Sequence, residues 1–237
     1  MKIDLCAGHS AYLLNFSSDE RNNYPLAVKE LFRLTAGRHG FPTMRSREIY
    51  VFRNSFDSAP RYLDQPGAEF ISLTVSENKP LQFAYQFAHE ASHLLAQNWQ
   101  RFQKPGYHPW IEEALCGAHS ILCLRELTKH AGWWATEATK FLTDYIDKSY
   151  PISIIDSNWY QTNQGHLSTA SGLTDIIKPL SRLIADKFPD GQFAADNMAL
   201  ISTPPNQNVQ DYMRGWEARC SAGATVPALF LSLFGIV

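Results

Sequence analysis

The sequence predicts an α+β protein: a small N-terminal mixed sheet with helices, followed by a mainly helical C-terminal lobe. Three observations predict it. Arg47–Arg53 (REIYVFR) and Glu69–Val75 (EFISLTV) are rich in β-branched and aromatic residues, which is strand composition. From Pro80 onward the apolar residues recur almost entirely at helical spacing. The chain has 237 residues, 45% of them hydrophobic and 13% aromatic, enough to bury a substantial core. A single domain over 1–237 is therefore expected, with a sheet-containing lobe at about 1–100 and a helical lobe at about 101–237.

The N-terminal MKIDLCAGHSAYLL lacks the long apolar core of a signal peptide. In PLAVKELFRLT (Pro25–Thr35) the apolar residues Leu26, Val28, Leu31, Phe32 and Leu34 have helical spacing. Pro25 suits the first turn of that helix, and Gly37 its end. SFDSAPRYLDQPGA, between the two strands, is expected to be a loop marked by Pro60, Pro66 and Gly67. Pro80–Gln97 is expected to be one helix, KPGYHP (Lys104–Pro109) a loop, and Trp110–His130 a second helix. Further helices are expected over Trp134–Lys148, Leu173–Lys187, Val209–Cys220 and Val226–Phe234, with a loop at Pro204–Pro205. The terminal ATVPALFLSLFGIV is shorter than a bilayer span of about 20 residues. Pro227 and Gly235 also interrupt it, so a buried terminal helix is expected.

Net charge is −2 and the isoelectric point near 6.4. No basic stripe marks a nucleic-acid or membrane-surface binder. The four cysteines, Cys6, Cys116, Cys123 and Cys220, form no CxxC pair. Cys116 and Cys123 fall on one expected helix about 10 Å apart, beyond disulfide reach. All four are expected to be reduced thiols in a cytoplasmic setting, acting as small buried hydrophobes.

The segment Phe87–Leu95, FAHEASHLL, carries two histidines four residues apart, with a glutamate directly after the first. Residues i and i+4 share a helix face, so His89 and His93 can converge on one ion. Glu90 lies about 100° around the helix and can reach a water on the open side of that ion. The flanks Phe83, Ala84, Phe87, Ala88, Ala91, Leu94 and Leu95 are apolar. Polar groups in such a frame need partners, which a metal and its water would supply. WIEEALCGAH follows, with Glu112 and Glu113 nineteen and twenty residues after His93. One of the two can supply a third ligand and the other can orient a ligand. Alternatively both simply stabilise a helix N-terminus against its dipole.

HEASH followed about twenty residues later by WIEEAL resembles the gluzincin metallopeptidases, the thermolysin-like enzymes and zinc aminopeptidases, over about 70–120. The resemblance implies a minimal zincin-like architecture, with Zn²⁺ held by His89, His93 and Glu113 and with Glu90 as the base. Glu113 rather than Glu112 fits the Trp110-x-x-Glu-Ala frame. The resemblance also implies that Glu69–Val75 is a sheet-edge strand able to hold an extended peptide by β-addition. Two features depart from the family. There is no Gly-rich exopeptidase motif upstream, and Gly117 stands where the thermolysin branch has an aspartate.

The implied activity is zinc-dependent peptide-bond hydrolysis, by water that Glu90 deprotonates. A second donor to the oxyanion would come from Tyr145, Tyr150, Tyr160 or His166. Tyr160 and His166 lie in NWYQTNQGHLSTASG, a polar stretch suited to line a cleft. The expected partner is a peptide or protein substrate, with no nucleic acid and no membrane. The alternative is a non-catalytic or regulatory metal-binding scaffold of the same fold, serving one dedicated protein partner. The intact Glu90 favours catalysis, because a scaffold needs at most the ligands.

Overall fold

A computed structural model describes residues 1–39, 48–54, 61–65, 68–96, 105–130, 132–152, 155–167, 174–200, 202–221 and 223–235. The fold is α+β, with a five-stranded mixed sheet near the N-terminus and helices over most of the remainder. The chain divides into two compact units. The first comprises Met1–Leu95 with Cys123–Phe141, and the second Ala96–Leu122 with Leu142–Val237. Among the described residues no helix is long and apolar enough to cross a membrane.

In the first unit, β1 (Lys2–Asp4) and β2 (Ser10–Leu14) form an antiparallel pair. β2 runs parallel to β3 (Glu48–Arg53), and β3 parallel to β5 (Ala68–Leu73). β4 (Arg61–Gln65) closes the sheet antiparallel to β5. The order is β1-β2-β3-β5-β4. The expected loop SFDSAPRYLDQPGA therefore contains a strand, and residues 55–60 and 66–67 of it lie outside the described residues. β4 also corrects the expectation for β5, which is flanked on both sides and is not the edge; β4 is. Arg61–Gln65 is short and contains Asp64, a pattern that edge strands tolerate and that is weak as a strand signal.

Alternation sorts the sheet's two faces. Ala11, Leu13, Ile49, Val51, Ile71 and Leu73 are buried. Tyr12, Tyr50 and Phe70, in register across three strands, stack on the half-exposed face.

Helix α1 (Ser18–His39) begins earlier than the apolar spacing indicates. Pro25 lies inside it rather than in its first turn. The start is set by a capping box. The Glu20 amide donates to Ser17 Oγ at 3.3 Å, and the Ser17 amide donates to Glu20 Oε2 at 3.0 Å. Tyr24 of α1 rests on Phe83 of α2 (Pro80–Ala96), with ring centroids 4.4 Å apart.

The second unit holds the first part of α3 (Pro109–Leu127), whose last turn belongs to the first unit together with α4 (Trp133–Phe141). A π-helical turn (Leu142–Ile146) continues α4 into α5 (Asp147–Ser149). Then come α6 (Ser157–Leu167), α7 (Ile177–Lys187), α8 (Phe193–Leu200), α9 (Val209–Glu217) and α10 (Val226–Leu233). Trp110 of α3 packs against Phe230 of α10, and Tyr160 of α6 stacks on Phe234 at 4.1 Å. The buried Asp196 of α8 locks the C-terminal helices together. Its carbonyl accepts from Trp216 Nε1 at 2.7 Å, and its Oδ2 from the Val226 amide at 2.8 Å.

Candidate metal centre

Helix α2 is buried on all sides from Phe83 to Ala96, and α3 from Trp110 to Leu124. Helices so apolar all round belong to a protein's interior. The polar side chains within them are therefore exceptional. On α2, His89, Glu90 and His93 are each at most 5% exposed. On α3, Glu112 and Glu113 are at most 4% exposed, and Cys116 and His119 are fully buried.

The entry to each helix is fixed. Gln86 binds α2 to the end of β5. Its side-chain oxygen accepts from the Thr74 amide at 3.0 Å, and its Nε2 donates to Thr74 Oγ1 at 3.2 Å. The turn before α2 includes Asn78, which has a positive φ of 54°. The Asn78 amide donates to Glu20 Oε1 at 3.1 Å, and Arg53 pairs with the same oxygen. Burial would push the Glu20 carboxyl up. The Arg53 guanidinium, together with the Ser17 and Asn78 amides and the Ser17 hydroxyl, instead holds it at about 2.

Ahead of α3, Gly106 takes φ of 84°, a region open to glycine. Its carbonyl accepts from the Asn206 amide at 2.8 Å, and His108 Nε2 contacts the Asn206 carbonyl at 3.0 Å. The Pro204–Pro205 loop thus pins the segment that leads into Glu112 and Glu113. Burial lowers the pKa of His108, with its Asn206 contact opposing.

One helical turn brings the two HExxH imidazoles together, with Nε2 of His89 3.2 Å from Nε2 of His93. Two nitrogens each about 2.0–2.1 Å from one tetrahedral ion stand roughly 3.3 Å apart. The pair is thus spaced to share an ion. The ligand atoms of His89, His93 and Glu113 all lie within 4.8 Å of one another, and so do those of His93, Glu112 and Cys116. These buried side chains could hold a metal ion. Two imidazoles and a carboxylate suit zinc and other borderline divalent ions, whereas magnesium and calcium favour all-oxygen sets.

Of the neighbouring glutamates, Glu113 is the one grouped with both histidines. Cys116, read from the sequence as a small hydrophobe, joins the cluster through Glu112. The available signal was its i+4 spacing from that residue. Glu90 is buried, lies about 100° around the helix from His89, and belongs to neither ligand group.

The candidates for oxyanion stabilisation occupy different surroundings. The expected cleft-lining stretch is helical, as α6, over Ser157–Leu167. Tyr160 is buried on it, and its hydroxyl has no hydrogen-bond partner among the described residues. Burial raises its pKa. His166, in the last turn, is exposed. Tyr145 is exposed at 40%, while Tyr150 is buried. His9, His108 and His130 lie outside the cluster. His9 packs on Phe32, and His130 faces Glu30 at 3.6 Å. All four cysteines are free thiols.

Compared with family models, with curated proteins and with solved structures, the chain matches none.

Proposed function

We propose that this protein is a zinc-dependent peptidase of the gluzincin type, with His89, His93 and Glu113 as ligands and Glu90 as the base. The single observation that carries the proposal is the grouping of those three ligand atoms within 4.8 Å, beside a buried Glu90. A divalent ion held there would acidify water at its open position and polarise a substrate carbonyl.

The chain's own residues do the rest. Glu90 takes a proton from the attacking water at a carboxylate oxygen and delivers it to the leaving amine nitrogen. Its burial between apolar neighbours limits competing solvent and strengthens its electrostatic effect on the reacting atoms. Of Tyr160 and His166, Tyr160 carries a hydroxyl with no hydrogen-bond partner among the described residues and would supply the second donor to the oxyanion. β4, outermost beside β5 among the described residues, is the strand to which an extended peptide would add, in place of β5.

Cleavage of a mixed peptide library by wild-type protein and Glu90→Gln tests this reading. The variant should retain its metal and lose about 10²–10⁴-fold in kcat/KM. Equal cleavage by both would remove Glu90 as the base.

A further inference from the structure

The cluster contains more donors than a His₂Glu site uses. We infer that Cys116, Glu112 and His93 form a second, sulfur-containing ligand set that competes with the hydrolytic set for one ion. The inference rests on the metal-site reading proposed above.

The helical geometry of α3 places Cys116 suitably. At about 100° per residue, Cys116 lies roughly 40° from Glu112 and 60° from Glu113, one turn further along the helix. It therefore faces between the two carboxylates. Its sulfur, a Glu112 oxygen and a His93 nitrogen lie within 4.8 Å of one another, and all three residues are buried. Around one tetrahedral ion, nitrogen and oxygen at about 2.1 Å and sulfur at about 2.3 Å stand roughly 3.3–3.8 Å apart. Movements of about 1 Å would close the set.

His93 belongs to both groups, and one neutral imidazole nitrogen binds one ion. The two sets therefore exclude each other. On binding, the Cys116 S–H bond breaks, an S–metal bond forms and the proton leaves to water. The thiolate selects thiophilic divalent ions. An ion held this way engages one of the two HExxH imidazoles, so metal is retained without completing the hydrolytic ligand set.

Cadmium alone is the probe, since cadmium–thiolate bonds absorb in the ultraviolet by charge transfer and nitrogen or oxygen ligands do not. Wild type, Cys116→Ser, Cys116→Ala and His89→Gln are titrated with Cd²⁺ in a phosphine reductant, and bound metal is counted in parallel. Wild type should develop the band. His89→Gln, left with the sulfur set, should develop a stronger one. Both Cys116 variants should lose the band while still binding one equivalent.

Bound cadmium with no band in wild type or His89→Gln would overturn the inference and leave the His₂Glu site standing. A band that persists in both Cys116 variants would assign it to another thiol and also overturn the inference. Absence of bound metal from every protein would overturn both readings.

Discussion

Glu112 and Glu113 are adjacent, and composition alone cannot separate them. The structure separates them by neighbourhood. Glu113 shares a ligand group with His89 and His93, whereas Glu112 groups with His93 and Cys116. If the hydrolytic set is as proposed, Glu113→Gln should lower zinc affinity by more than about 100-fold, since even outer-shell partners of a metal contribute about 10–100-fold. Glu112→Gln should stay within about tenfold. Competition against a chromophoric chelator measures both, and the reverse ranking would exchange the two roles. A second single-residue prediction concerns Glu20. A carboxylate whose folded pKa, here about 2, lies below its unfolded value adds stability above the unfolded pKa. That stability is lost as pH falls through the folded value. Glu20→Gln should therefore lower stability at pH 7 by on the order of 3 kcal/mol and flatten the acid limb between about pH 4.5 and 2. Denaturant midpoints across that range check it. His108 acts earlier in the same direction. Its folded pKa is lowered, so stability falls as pH drops below the ordinary histidine value near 6.5.

Helices and strands were legible to different degrees, for physical reasons. α2 and α3 were clear because long apolar runs with Pro80 and Pro109 at their starts permit little else. Pro25 reads as a helix start, yet α1 begins before it. The S-x-x-E signal at Ser17–Glu20 and the buried Tyr24 extend the helix about two turns ahead of the proline. Ser17→Ala should cost about 0.5–2 kcal/mol, measured by thermal melting; no change would show that the cap is dispensable. β1, β2 and β4 were missed because each is short and the sheet, rather than local propensity, holds them. The sequence of α6 is polar and carries little helical periodicity, because only Tyr160 and Leu167 of it are buried. At the entry to α3, Gly106→Ala would place a Cβ 3.1 Å from the Asn206 nitrogen while holding φ at 84°. A loss of about 1–3 kcal/mol is expected, together with weaker zinc binding if the loop positions Glu113.

For the whole chain, the α+β class and the sheet-then-helices order followed from the distribution of apolar periodicities. The first division between the compact units falls at Leu95–Ala96, near the expected boundary at about residue 100. Cys123–Phe141, beyond that boundary, belongs to the sheet-bearing unit, and local sequence carries no signal for such an exchange. HExxH made the paired histidines readable, because a helix fixes the i, i+4 relation locally. The place of Cys116 depends on tertiary packing and could not be read that way. The central claim is that His89, His93 and Glu113 bind one divalent ion together. Mass-spectrometric metal analysis of protein equilibrated with zinc and then desalted tests it most directly. About one equivalent in wild type, with near-complete loss in both His93→Ala and His89→Ala, is the predicted result; equal zinc in wild type and the two variants would contradict it.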